Sequence, residues 1–158
     1  MAESIEIRPA RQSDQKAWAD LFRAYMAFYG CAPSDAVLDV TWGWIIDPNG
    51  PMECLLAIRD GEVAGFAQYR AVPETLTGGW FGQLDDLFVA PTSRRQGIAG
   101  ALMARLEEVV RSRGWFKLAW VTASDNETAR TLYDGIGTAS DWVVYEKPLD
   151  PPAPSGMR

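Results

Sequence analysis

Seven consecutive residues, Arg94-Arg95-Gln96-Gly97-Ile98-Ala99-Gly100, combine the ingredients of an anion site. They follow an apolar, β-prone run, Leu87-Phe88-Val89, that stops at Pro91, a residue with no N–H to give a ladder. They precede a stretch in which Ile98, Leu102, Leu106, Val109 and Val110 recur at helical spacing, with Gly114 where a helix C-cap is expected. The unpaired N–H groups of a helix start, with the helix dipole, attract negative charge. Gly97, Ala99 and Gly100 leave room for a phosphate to reach the backbone, and two arginines add positive charge. A diphosphate cradle and an ordinary βα turn both fit this pattern. No Gly-Lys-Ser/Thr follows, so it is not a Walker loop, and the glycines do not fit the dinucleotide G-x-G-x-x-G spacing. Just upstream, Asp85 and Asp86 could take a proton from an ammonium group or attract it. As strand neighbours they are expected on opposite faces.

These groups must be positioned by the rest of the chain. Ile5 to Arg8 reads as a first strand, and Ser13 or Asp14 can cap a helix with the stripe Trp18, Leu21, Phe22, Tyr25 and Met26. A second helix is expected from about Ser34 to Ile46, with Val37, Leu38, Val40 and Trp44 inward. Strands 53–59 and 62–72 flank Asp60-Gly61, a hairpin signal, and a third runs from about Gly79 to Val89. After the central helix, 116–122 is an apolar strand that must cross over to run parallel with its predecessor. Ser124 to Glu127 offers a capping box for a helix with Ala129, Leu132, Tyr133 and Ile136 on one face. Trp142 to Glu146 reads as a last strand. The order β-α-α-β-β-β-α-β-α-β implies an α/β (α+β) class, with a mixed, mostly antiparallel sheet and helices on both faces. One domain, 1–149, with a flexible tail at 150–158, is expected.

Composition narrows the chemistry. The 158 residues carry a net charge of −6, which disfavours nucleic acid and anionic membranes and welcomes a cationic substrate. Histidine is absent, which removes Ser-His-Asp and Cys-His catalysis and the commonest zinc ligand. Cys31 and Cys54 form no metal-ligand spacing, and no metal is expected. The N-terminal sequence does not read as a signal peptide and no run approaches membrane-spanning length, so a cytoplasmic setting is expected.

Arg94-x-x-Gly97-x-Ala99 after a strand resembles the Q/R-x-x-G-x-G/A motif of the GNAT N-acetyltransferase superfamily. Asn126-x-x-Ala129-x-x-Leu132-Tyr133 resembles its N-x-x-A-x-x-L/F-Y signature. The resemblance covers roughly Ile5 to Leu149, and the element order is also that of the superfamily. It implies acetyl-CoA as co-substrate, with Arg94, Arg95, Gln96, Gly97, Ile98, Ala99 and Gly100 on the diphosphate. It further implies that Leu87, Phe88 and Val89 align the pantetheine through their backbone, that Asn126 bonds that arm, and that Tyr133 faces the sulfur. A tyrosine hydroxyl, with a reference pKa of about 10, can donate a proton to a leaving thiolate at neutral pH. The run Asp85-Asp86-Leu87-Phe88-Val89 is similar to that of spermidine/spermine acetyltransferases, in which the first acidic position is a base candidate, here Asp85. Trp18-x-x-Leu21-Phe22-x-x-Tyr25-x-x-Phe28-Tyr29 is similar to the histone and polyamine acetyltransferase group. One departure stands out: the family usually has Gly-Phe or Gly-Tyr after the last helix, where this chain has Gly135-Ile136-Gly137-Thr138.

The expected activity is direct acetyl transfer to the primary amine of a small molecule, such as a polyamine or amino acid. A protein lysine or N-terminus as acceptor, or a non-catalytic acyl-CoA sensor, are the alternatives. Phe28, Tyr29, Trp42, Trp80 and Trp142 either wall an acceptor pocket or serve in the core or a dimer contact. The resemblance implies a homodimer or higher homo-oligomer.

Overall fold

The computed structural model describes residues 4–150. The expected tail therefore lies, beyond Asp150, outside the described residues. In chain order the elements are β1 (Ile5–Pro9), α1 (Gln15–Phe28), α2 (Asp35–Ile46), β2 (Glu53–Arg59), β3 (Glu62–Glu74), β4 (Gly79–Val89), α3 (Ile98–Ser112), β5 (Leu118–Ala119) and α4 (Glu127–Asp134). The chain divides into two compact units, 1–120 and 121–158.

The first unit is a five-stranded sheet in the order β1-β2-β3-β4-β5, antiparallel except for the parallel β4–β5 pair. The β2–β3 hairpin turns on Asp60 and Gly61, both with positive φ (51° and 80°), the geometry that two-residue hairpin loops require. Trp18, Leu21 and Phe22 of α1 and Leu38, Trp42 and Ile45 of α2 bury one sheet face, with Leu56, Phe66 and Phe88 from the strands. Ile98, Leu102, Leu106 and Val110 of α3 bury the other, against Leu55, Ala67, Tyr69 and Leu84. Two glycines allow α3 to lie this close. A Cβ on Gly65 would stand 2.9 Å from the Phe88 carbonyl oxygen and 3.2 Å from Ile98 Cγ2. One on Gly82 would stand 2.9 Å from Val110 Cγ2. At the far end of α3, Gly114 takes φ 70° and the Trp115 N–H reaches back to the Val110 carbonyl, closing the helix as its sequence implied.

In the second unit α4 is capped by Asn126, whose side-chain oxygen accepts from the Ala129 N–H at 3.2 Å. The cap is thus Asn126 rather than a box begun by Ser124.

Three expectations are corrected. In α2 it is Trp42 that is buried, at 3% exposure, whereas Trp44 is 48% exposed. This helix is apolar around much of its girth, so several stripes are available and packing against Trp18, 5.1 Å away between ring centroids, selects one. The parallel strand is limited to Leu118 and Ala119, because only Gly82 and Gln83 of β4 pair with it. Among the described residues, 142–146 join no ladder. A β-prone run becomes a strand only where a neighbour offers unpaired backbone groups in register. Among the described residues, no helix is long and apolar enough to cross a membrane.

Candidate functional site

The strand–turn–helix stretch forms as the sequence implied. β4 ends at Val89, and α3 begins at Ile98 behind Gly97, whose φ of 76° is left-handed. Arg95 is also left-handed, at φ 61°. The first intrahelical bond runs from the Ala101 N–H to the Gly97 carbonyl, and no side chain caps the helix. The N–H groups of Ile98, Ala99 and Gly100 thus lie at the open helix start. A Cβ added to Gly97 or Gly100 would meet nothing within 4 Å. Ile98 is buried at 1% exposure and pins this first turn to the sheet. Arg94 folds back: its Nε–H donates to the Val89 carbonyl at 3.3 Å and its guanidinium lies 5.4 Å from the Phe88 ring centroid. The open space, bare N–H groups and adjacent arginines suit a diphosphate.

β4 itself supplies a second feature. β3 pairs with it through Val89, whereas β5 pairs only with Gly82 and Gln83. Among the described residues, β4 from Leu84 to Val89 therefore has a ladder partner on one side only. Such an edge can accept an extended, amide-bearing ligand as an added strand.

The third feature is the acidic pair, and here the structure overturns the expected geometry. Gln68 pairs with Asp86 but Tyr69 pairs with Leu84, so Asp85 is the extra residue of a β-bulge. The bulge resets the alternation: Leu84 packs with α3, whereas Phe88 packs with α1 and α2. Asp85 and Asp86 consequently share one face. Asp85 accepts from Arg70 Nε at 2.9 Å, and Asp86 accepts from Gln68 Nε2 at 2.8 Å, Gln68 and Arg70 being two apart on β3.

Asp86 ends a hydrogen-bonded chain built across the fold. The Trp18 indole N–H donates to Gln68 Oε1 at 2.6 Å, Gln68 donates to Asp86, and the Tyr25 hydroxyl donates to the other Asp86 oxygen at 2.8 Å. Trp18 and Tyr25 are seven residues apart, two helical turns, which brings both to one side of α1. Burial raises the Asp86 carboxyl above the ordinary carboxylate range, Tyr25 and Gln68 pull it down, and the neighbouring Asp85 charge raises it further. Burial and the Asp86 charge push the Tyr25 hydroxyl up, which keeps it a donor. From Tyr25 an edge-to-face contact of 5.0 Å leads to Tyr29, which is 58% exposed. Phe28 lies beside it, whereas Trp42 is a core residue. Cys54 is buried, and burial pushes its thiol up, so it is held protonated.

Leu87 to Val89, Arg94 to Gly100 and both aspartates thus belong to one continuous segment of the first unit. Asn126 and Tyr133 lie on the cap and body of α4 in the second unit. Sequence reasoning missed Gln68, Tyr25 as an Asp86 partner, and Arg70. Gln68 carried a signal: it is the one polar side chain in the run Val63 to Tyr69, and it is 1% exposed.

Comparison with known proteins adds an independent finding. The model of the acetyltransferase (GNAT) family matches residues 18–137. The chain is 30% identical to the uncharacterized N-acetyltransferase YhfO of Bacillus subtilis, over 94% of this chain and 99% of that protein. It is 26% identical to the D-amino-acid N-acetyltransferase HPA3 of Saccharomyces cerevisiae, over 92% and 91%. The solved structure of a ribosomal-protein-alanine N-acetyltransferase from Brucella melitensis superposes with a TM-score of 0.80 at 28% identity, covering 92% of this chain and 99% of that one.

Proposed function

The chain belongs to the acetyltransferase (GNAT) family and is an acetyl-CoA-dependent acetyltransferase, and we propose that it acetylates the primary amine of a small molecule by direct transfer. The observation that carries this reading is one strand doing two jobs. β4 has a one-sided edge leading into an open helix start, and it carries two carboxylates on the face that meets α1.

In this reading the N–H groups opening α3, with Arg94 and Arg95, hold the diphosphate, and Gly97 leaves it room. The backbone of Leu87, Phe88 and Val89 aligns the pantetheine amides. Asn126 assists through its amide nitrogen, its oxygen being engaged in the α4 cap. Acetyl-CoA supplies an activated carbonyl carbon and a thiolate leaving group. Asp85 takes one proton from the acceptor ammonium, directly or through water. The neutral nitrogen then forms the N–C bond as the C–S bond breaks, and the Tyr133 hydroxyl gives its proton to the departing sulfur. The nitrogen sheds its surplus proton, the tyrosine is reprotonated, and the net products are amide, CoA thiol and one proton. Asp86, fixed by Tyr25 and Gln68, sets the negative field of the acceptor face rather than moving a proton. The reading extends to a cytoplasmic protein that assembles as a homodimer or larger homo-oligomer.

The likeness to a solved ribosomal-protein-alanine N-acetyltransferase makes a protein lysine or N-terminus the second acceptor reading. Tyr133→Phe tests the assignment of the acid: kcat falls on the order of 10²-fold with CoA affinity kept. Turnover at the wild-type rate in that variant removes Tyr133 from the reaction.

A further inference from the structure

On the premise that the protein acetylates amines at this face, the ion pair between Arg70 and Asp85 bears on which amines it takes. The carboxylate assigned to meet the acceptor ammonium already holds a cation, with Arg70 Nε 2.9 Å from Asp85 Oδ2. Both side chains reach solvent, Arg70 at 45% and Asp85 at 29% exposure. Ion pairs in such positions are weak, because water competes for each partner. The pair can therefore open at little cost when a ligand offers both charges a replacement.

A ligand with a single cationic centre replaces only one of them. It satisfies Asp85 and leaves the guanidinium beside an incoming positive charge. A diamine or polyamine adds a second cation to the same repulsion. A zwitterion with its charges one carbon apart fits between the two groups and pairs with both. The bond to Asp85 is made by Nε, and the planar guanidinium also carries a fork of terminal N–H groups that suits a carboxylate. The bulge makes this arrangement possible: without the extra residue on β4, Asp85 would turn to the face of α3, away from Arg70. Asp86 cannot substitute for Asp85 in this exchange, because Tyr25 and Gln68 occupy its oxygens.

We propose that the acceptor is an α-amino acid bound as its zwitterion, with Asp85 on the ammonium and Arg70 on the carboxylate, so that Arg70 determines acceptor specificity. The acetylated nitrogen is the α-amine, and the product keeps its free carboxylate on Arg70.

The test measures CoA thiol release by wild type, Arg70→Met and Arg70→Lys with D- and L-amino acids, their carboxamides and their decarboxylated amines. Wild type should favour the free amino acids. Arg70→Met should lose about fivefold in kcat/KM for them, the upper end for a charge pair that water reaches. Its kcat/KM for the carboxamides and amines should hold or rise, and Arg70→Lys should recover part of the loss. Equal wild-type use of amino acids and amines, or an equal loss across all acceptors in Arg70→Met, overturns the assignment while leaving acetyl transfer intact. No turnover with any amine, despite CoA binding, overturns acetyl transfer and this assignment together.

Discussion

Gly97→Ala separates what the cradle does for the fold from what it does for the ligand. Gly97 sits at φ 76°, and an alanine there pays the left-handed penalty of about 1–2 kcal/mol. In a chain of 158 residues that lowers Tm by roughly 3–6 °C. The new methyl meets nothing within 4 Å in the protein itself, so no further loss of stability is due. With a diphosphate in that space the methyl must displace it, and the CoA Kd should rise at least about tenfold, or about 1.4 kcal/mol. The structure supplies a matched control in Gly114. It has φ 70°, equally open space, and a position past the other end of the same helix, whose fifteen residues alone span about 22 Å. Gly114→Ala should show the same fall in Tm by scanning calorimetry and unchanged CoA binding by titration calorimetry. If Gly97→Ala binds CoA as tightly as Gly114→Ala, the diphosphate does not lie against this turn.

Two further outcomes concern the scaffold. Asp14 accepts both terminal nitrogens of Arg8, at 2.7 and 3.0 Å, and the Arg11 N–H, and these hold its carboxyl below the ordinary carboxylate value, Arg8 foremost. A depressed folded value stabilises above the unfolded pKa of about 3.9 and is lost as pH falls through the folded one. Urea denaturation should therefore show wild type ahead of Asp14→Asn by about 2 kcal/mol at pH 7, with the gap closing below about pH 4. A gap independent of pH would contradict the pairing. Gly65→Ala should cost about 1–3 kcal/mol, because its Cβ would press on the Phe88 carbonyl and on Ile98. An unchanged Tm would mean that α3 is free to shift from the sheet.

Much of this arrangement was legible before any coordinates, for definite reasons. Asp60-Gly61, Gly97 and Gly114 mark turns and helix ends because few other residues tolerate their backbone angles, so the frame of the cradle is written locally. The stripe of α3 stands out because polar residues separate its apolar ones, whereas α2 gives Trp42 and Trp44 similar claims on the core. The bulge at Asp85 had no local signature: it depends on how many residues β3 sets opposite β4, and one extra residue reversed the expected faces of the acidic pair. The partners of Asp86 lie 18 and 61 residues away in sequence, beyond any periodicity. Trp142 to Tyr145 have the composition of a strand, but composition does not provide a ladder.

The measurement that bears most directly on the central claim is CoA thiol release from acetyl-CoA with amino acids, polyamines, aminoglycosides and a lysine-rich peptide as acceptors. Saturable release with a small-molecule amine, with the acetylated amine recovered by mass spectrometry, is the result expected. Release with the peptide alone would contradict a small-molecule acceptor, and CoA binding without release to any of the four would contradict acetyl transfer itself.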